Sequence, residues 1–360
     1  MRNNFRLFFL PFLLMTLISR DVLKLLIVGN PDPNHIGRHF YFAARQMNLD
    51  VLLSDSSKAY SASWFMAKFY WWVCKRYPPL LKKYSQEVLN LCRAYQPHFL
   101  LSTGIAPIQY SVLEKIGKLN IKKINYLTDN PWNPALEDSW FKKSLCFYDY
   151  VFSPRRSNLD ELNKLGCKGV YYLPFAYAPE AHSIQFPEND LEKRKLSSDV
   201  MFAGGGDADR IKIIKALTKT NLNIALYGGY WDRFSQTKTY ARGMLKPVML
   251  CKAVNASKIV LCLVRRGNRD GHTMRTFEAA AMGACMLVED TLEHREILGE
   301  EGESVLYFNN NQEMLEKISW LLMHDDERKR LSETVRKRIM QGEHTYRDRL
   351  AQMFTFMSQE

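Results

Sequence analysis

The sequence predicts an α/β protein built from two doubly wound parallel-sheet domains, and three observations carry that expectation. Apolar runs of strand length recur along the chain and end in Gly, Asp or Pro, as strands buried on both faces of a parallel sheet do. Helical stretches with polar outer faces alternate with them, which is the rhythm of βαβ units. The rhythm breaks once, at a charged stretch near residues 179–198, and then restarts. A chain of 360 residues is longer than one hydrophobic core usually supports, so two domains are expected.

In chain order, KLLIVGN (24–30) reads as the first buried strand. The loop PDPNHIGRHF leads into a helix from Arg38 to Met47, and LDVLLSD (49–55) is the second strand. HFLLSTG (98–104) and KKINYLTDN (122–130) follow, with SVLEKIGKL helical between them. YDYVFSP (148–154) and VYYLPFA (170–176) flank the helix SNLDELNKLG, which Gly166 stops. The linker, residues 179–198, contains Pro187 and the run EKRK and reads as poor in helix. After it, DVMFAGG, NLNIALYGG, SKIVLCLV and ACMLVED are the later strands, and Asp325 to Glu360 is strongly helical. Domains are therefore expected at residues 23–178 and 199–342, with a final helix at 343–360.

The first 22 residues form an apolar lead. Two arginines precede an apolar run from Leu7 to Ile18 that Pro11 interrupts. That run is short for a membrane-spanning helix, and no small-residue cleavage site follows it. Two readings stand first: translation starting at Met15, or a loosely ordered N-terminus. An interfacial anchor stands second. The seven cysteines show no CxxC pair and no metal-ligand spacing, which favours reduced thiols and a cytoplasmic setting over a disulfide framework or zinc site. Basic excess is confined to one half. Residues 1–175 carry 23 Lys and Arg against 12 Asp and Glu, whereas residues 176–360 carry 27 against 26. An anionic partner for the first half, or a basic surface serving solubility alone, would explain this about equally.

The stretch 255–289, NASKIVLCLVRRGNRDGHTMRTFEAAAMGACMLVE, carries the most chemistry. An apolar strand runs into a glycine-containing loop, then a helix bearing Arg275 and Glu278, then Gly283 and another strand. Such a unit puts the loop and helix N-terminus at the carboxyl edge of the sheet, where backbone N–H groups and the helix dipole favour an anion such as a diphosphate. Arg275 adds a forked cation, and Glu278, one turn on, can accept from ribose hydroxyls. An ordinary βαβ unit with an Arg–Glu pair is the competing reading of the spacing.

RTFEAAAMGACMLVED resembles the donor-site block of GT-B glycosyltransferases, in which a Glu opens a small-residue helix ending in Gly and a strand. The Arg-Thr-Phe-Glu form is most similar to the CgeB-like, spore-maturation-protein-like glycosyltransferases. DVMFAGGGDADR (199–210), LYGGYW (226–231), DYVFSPRRSNLDELNKLG (149–166) and YLPFAY (172–177) agree with that group, in the expected order. In retaining members the Glu is the second of two acidic residues spaced eight apart; here the first position is Asp270.

The resemblance implies two Rossmann-like domains facing a central cleft, residues 23–178 holding the acceptor and residues 199–342 a nucleotide-diphosphate sugar. The last helix would cross back to the first domain. The donor residues it points to are Gly205, Gly206, Arg210, Tyr227, Gly228, Asn268, Asp270, His272, Thr273, Arg275, Thr276 and Glu278. For Trp231 at the end of the same block, base stacking and core packing are equal alternatives. Asp129, Glu278 and His35 are the catalytic candidates, and Asn130, Trp132 and Gly37 lie on the acceptor side. Asp129 is also readable as a helix cap or a turn residue before Pro131, and a lone loop histidine such as His35 is more often exposed than catalytic. With no Asp-x-Asp motif at a strand end, no metal and no cofactor are expected. The acceptor would be a glycan, a glycolipid or another cell-surface molecule. Alternatives are a sugar-nucleotide epimerase or hydrolase of the same fold, or a non-enzymatic membrane- or nucleic-acid-binding protein.

Residues 60–86 hold nine aromatics (Tyr60, Trp64, Phe65, Phe69, Tyr70, Trp71, Trp72, Tyr77, Tyr84) interleaved with five lysines and arginines and no acid. A core helix with a basic outer face is the first reading. Contact with an anionic membrane surface or lipid-linked acceptor, peripheral at the inner face, is the second. Nucleic acid is a distant third.

Overall fold

The structure is a computed structural model and describes residues 22–62, 70, 77–134 and 139–359. The apolar lead through residue 21 and most of the aromatic segment before Tyr77 lie outside the described residues. The chain divides into two compact units, one made of residues 1–131, 136–173 and 346–360, the other of residues 132–135 and 174–345.

In the first unit, β1 (Lys24–Gly29), β2 (Asp50–Asp55), β3 (Phe99–Thr103), β4 (Lys122–Tyr126), β5 (Tyr150–Ser153) and β6 (Gly169–Tyr172) form one sheet of order β2-β1-β3-β4-β5-β6. All neighbours are parallel, with Leu26 opposite Leu52 on one side and Leu100 on the other. Leu25 to Val28 are fully buried, which explains why this strand reads as unbroken apolar sequence. The helices are α1 (Ile36–Gln46), α2 (Leu81–Tyr95), α3 (Tyr110–Gly117), α4 (Ser139–Leu145) and α5 (Leu159–Lys164). Of the aromatic segment, Tyr84 is a core residue on α2, with its hydroxyl 2.9 Å from Ser54 Oγ.

The C-terminal helix, Tyr346–Ser358, also belongs to this unit. Tyr346 stacks on His39 at 5.2 Å and meets Phe40 edge-on, while Phe354 packs on Phe99 and Phe356 stacks on Tyr171 at 4.7 Å. These aromatic contacts to two strands and α1 thus hold the C-terminal helix against the first unit.

The second unit contains α6 (Asp190–Leu196), β7 (Ser198–Ala203), α7 (Ala208–Leu217), β8 (Ile224–Tyr227), α8 (Pro247–Ala256), β9 (Ser257–Cys262), α9 (Met274–Ala281), β10 (Met286–Glu289), α10 (Leu292–Leu298), β11 (Leu306–Phe308), α11 (Asn311–Met323) and α12 (Asp325–Gln341). Its sheet is parallel, of order β8-β7-β9-β10-β11. Strand β11 is too short to announce itself by periodicity.

Two sequence expectations need correction. The linker is not poor in helix: Asn189 accepts the Glu192 N–H and starts α6 there. Buried Lys252 on α8 then clamps Glu188 at 2.6 Å and Glu192 at 3.1 Å. The stretch is therefore part of the second unit. Residues 132–135 also belong to that unit although they follow β4, which moves Trp132 out of the first.

Strand β1 and helix α1 touch backbone to backbone. A Cβ added to Gly37 would lie 2.9 Å from Gly29 Cα and 3.0 Å from Asn30 N. Because backbone cannot swing aside, Gly37→Ala is expected to destabilise the first unit by about 1–3 kcal/mol in urea melts. Gly229→Ala, with nothing within 4 Å of the added carbon, should stay within about 0.5 kcal/mol of the parent.

Candidate functional site at the β7–β9 crevice

The second sheet winds outward in opposite directions from β7 and β9: β8 lies on one side, β10 and β11 on the other. At such a switch point the loops leaving the carboxyl ends part and leave a crevice. Three loops border it: residues 204–207 after β7, 228–230 after β8 and 263–273 after β9.

The first two loops interlock. The Gly204 N–H donates to Tyr227 O at 2.8 Å and the Gly206 N–H to Gly229 O at 2.9 Å. Gly228 has φ +125°, and a Cβ there would sit 2.2 Å from Gly204 O, so glycine is required both for the backbone conformation and for the approach. The Trp231 indole N–H donates to Gly204 O at 2.8 Å, and the fully buried ring meets Phe202 edge-on at 5.6 Å. Core packing is thus the reading that holds for Trp231. Tyr227 is buried at the end of β8, with Arg242 3.5 Å from its hydroxyl. The exposed aromatic of this loop is Tyr230, whose ring carries the Arg233 guanidinium at 4.4 Å.

The cations divide by burial. Asp207 caps α7, accepting from the Asp209 and Arg210 N–H groups at 3.1 and 3.0 Å. Arg210 is buried; its Nη1 donates to Gly205 O at 3.1 Å and its Nη2 to Leu263 O at 3.0 Å. It therefore ties the β7 loop to the end of β9 instead of presenting an open fork to an anion. Burial first, then the neighbouring Arg265 charge, lowers its pKa from the ordinary arginine value. Arg265 is the half-exposed cation here, with Nη2 3.7 Å from where a Gly205 Cβ would stand and Nε 3.9 Å from Asp207. Sequence reasoning passed over Arg265, although the abrupt change from SKIVLCLV to Arg265-Arg266 marked a strand end carrying charge.

Helix α9 opens with a reciprocal capping box between Thr273 and Thr276. Thr276 Oγ1 receives the Thr273 N–H at 3.1 Å and lies 3.0 Å from His294 Nε2. His294 Nδ1 is 2.7 Å from Glu289 O. Since a carbonyl only accepts, the ring proton sits on Nδ1, and the Thr276 hydroxyl donates to Nε2. Arg275 Nη1 is 2.8 Å from Glu278 Oε2, its Nε reaches Ala203 O at 3.3 Å, and Glu278 is itself buried. Another residue absent from the sequence reading, His182, places Nε2 3.6 Å from Glu278 Oε1.

His272 is placed differently from its expected role as a diphosphate ligand. It is buried, with Nδ1 2.5 Å from Glu293 Oε2 and Nε2 accepting the Phe175 N–H at 3.2 Å. Both ring nitrogens are occupied. Glu293 stands where a Gly271 side chain would be, 2.4 Å from the would-be Cβ, so the loop glycine makes room for this pair. Asn268 is buried and accepts from Asn133 Nδ2 at 2.7 Å. Half-buried Asp270 bonds through its N–H to Arg265 O at 3.4 Å.

In the first unit, His35 is exposed at the start of α1 and makes no side-chain cap. Gly37 is the close-packing glycine already described. Asp129 is half-buried after β4, its Oδ2 accepting from Thr128 Oγ1 at 3.2 Å, and Asn130 is buried, accepting from Asn158 Nδ2 at 2.8 Å. Among the described residues, no three His, Cys, Asp or Glu side chains group as a metal site, and no helix is long and apolar enough to cross a membrane.

The His294 wiring has a pH signature. Burial depresses its pKa from 6.5 to about 4, so as pH falls the unfolded chain takes up the proton first. The His294 contribution to stability is complete above pH 6.5 and is lost as pH falls toward 4, on the order of 3 kcal/mol in total. Urea midpoints of the parent should fall more steeply between pH 7 and 4.5 than those of His294→Gln. Parallel pH profiles would contradict the assignment.

Residues 210–355 match the family model described as Glycosyl transferase-like, a span that runs from the Arg210 tie through α9 to the C-terminal helix. No curated protein matches the sequence. Among solved structures, sucrose-phosphate synthase from Thermosynechococcus elongatus is similar at TM-score 0.63 and 11% identity, covering 94% of this chain and 98% of that one. The Anabaena protein HepE, in complex with UDP and glucose, is similar at TM-score 0.63 and 10% identity, over 94% and 100% of the two chains. A putative UDP-N-acetylglucosamine 2-epimerase from Listeria monocytogenes is similar at TM-score 0.52 and 12% identity, over 92% and 95%. At such identities the likeness establishes the fold. The chain has the GT-B fold of two Rossmann-like α/β domains, and its residues 210–355 match the glycosyl transferase-like family model.

Proposed function

We propose that the protein is a metal-independent glycosyltransferase that moves a sugar from a nucleoside-diphosphate sugar, held at the β7–β9 crevice, to a glycan, glycolipid or other cell-surface acceptor. One observation carries the reading. Arg275 at the N-terminus of α9 and Arg265, both inside the span that matches the glycosyl transferase-like model, each approach the end of β7 and its glycine loop at the sheet's switch point. Transfer breaks the bond from the anomeric carbon to the diphosphate oxygen, forms one to an acceptor oxygen, and sends the acceptor proton to a base. The developing negative charge is on the diphosphate, and preorganised cations and helix N–H groups stabilise it most. Glu278 takes a donor hydroxyl, Tyr230 offers a face to the base, and Asp129 and His35 are the candidates for handling the acceptor proton.

Uridine is the first base to test, since HepE was solved with UDP and UDP-glucose. The RTFE block makes the CgeB-like group the closer reading within the glycosyltransferases, and the setting we propose is the cytoplasm, peripheral to the membrane through residues 60–86. A sugar-nucleotide epimerase or hydrolase is the second reading, favoured by the likeness to the Listeria protein. The two part on whether UDP-sugar is consumed without an acceptor.

Calorimetry with UDP and other nucleoside diphosphates should show saturable binding, weakened at least about tenfold by Arg275→Ala and by Glu278→Ala and unchanged by EDTA. A folded parent that binds no nucleotide overturns the proposal. Loss of binding in EDTA removes the metal-independent part alone.

A further inference from the structure

The crevice holds a contradiction that one residue outside it resolves. Arg275 is needed by a diphosphate, yet its guanidinium already compensates the buried Glu278 carboxylate at 2.8 Å. Drawing Arg275 away would take the guanidinium from a buried carboxylate, and weakening the compensation of a buried charge is strongly unfavourable. On the opposite oxygen stands His182, itself buried, with Nε2 3.6 Å from Oε1. Its Nδ1 accepts the Ala178 N–H at 3.0 Å, so the proton of the neutral ring is on Nε2, the nitrogen facing Glu278. The segment that carries it is fixed: the His182 N–H bonds Ala178 O at 2.8 Å, the Tyr177 N–H bonds His344 O at 3.0 Å, and Cys251 Sγ bonds Ala181 O at 3.2 Å. Burial pushes the Cys251 thiol up from its ordinary pKa, so it stays uncharged near Arg275 and Glu278.

Resting on the reading that the crevice binds a nucleoside-diphosphate sugar, we infer that His182 is a positioning residue for donor binding. It holds Oε1 of Glu278 while Arg275 exchanges Oε2 for the donor diphosphate, which leaves Oε2 to accept a donor hydroxyl. A shift of under an ångström turns the 3.6 Å approach into a hydrogen bond. The carboxylate is compensated before and after the exchange, by the guanidinium plus the imidazole first and by the imidazole plus a ligand hydroxyl afterwards.

The test is calorimetric binding of UDP to full-length His182→Leu and His182→Gln, each alone and combined with Glu278→Gln, with thermal melts to verify folding. His182→Leu removes the donor and should weaken UDP binding about tenfold. His182→Gln restores an N–H near the Nε2 position and should recover binding to within about threefold of the parent. In the Glu278→Gln background, where no charge needs compensation, His182→Leu should add less than about a twofold change. Equal losses in the Leu and Gln variants, or effects that add in full with Glu278→Gln, would overturn the role. So would an unchanged affinity in His182→Leu. A parent that binds no nucleoside diphosphate overturns the functional reading instead, whereas a binding parent matched by both His182 variants overturns only this inference.

Discussion

The Arg210 guanidinium, buried between the carbonyls of Gly205 and Leu263, fixes the geometry on which the rest of the second unit depends. At a switch point the two central strands diverge, and their last carbonyls lose the neighbours that a continuous ladder would supply. A planar cation with several donors satisfies two such groups at once, which a lysine could not do in the same plane. With the β7 and β9 loops joined in this way, the glycine-to-glycine contact between Gly204 and Gly228 and the indole hydrogen bond from Trp231 set the third loop against them. The backbone around the crevice is therefore tied loop to loop, and Arg265 and Arg275 are carried on it.

Helix α9 is held by neutral and charged groups in separate layers. Thr273, Thr276 and His294 form a chain of single-proton hydrogen bonds running from the helix start to the end of β10. His272 and Glu293 form a second support between the loop before the helix and α10. Each works only in one protonation state, because a buried ring nitrogen that both gains a proton and faces a donor has lost its bond. Holding the helix with these groups leaves Arg275 and Glu278 as the ion pair at the helix start whose cation is partly exposed, and that pair can respond to an anion.

In the first unit the corresponding constraint is steric. The contact between Gly29 and Gly37 brings α1 flush with β1, and the C-terminal helix closes over α1 through Tyr346, His39 and Phe40. The glycine pair was visible in the sequence as a strand ending in Gly followed eight residues later by another. The helix that packs there was expected only through resemblance, since no local pattern says which of two remote segments it will meet.

The succession of strands along the chain, β11 apart, the alternation with helices and the restart near residue 198 were legible because buried parallel strands and amphipathic helices are written in short-range periodicity; the order of the strands in each sheet was not. The loop–helix unit carrying Arg275 and Glu278 was legible for the same reason. What the sequence could not supply was the state of each polar side chain in the site. Arg210, Arg265 and Arg275 are all arginines near strand ends, yet one is buried against carbonyls, one is half-exposed and one is paired. His272, which looked available, has both nitrogens occupied, and His182, which carried no signal, faces the central carboxylate. Those differences arise where loops from β7, β8 and β9 and the segment at 174–182 come together, and burial and hydrogen-bond partners are properties of that convergence. Local sequence determined the elements and the edge of the sheet where a ligand would sit; only the tertiary structure decided which side chains remain there to meet it, because desolvation and pairing are fixed by residues distant in the chain.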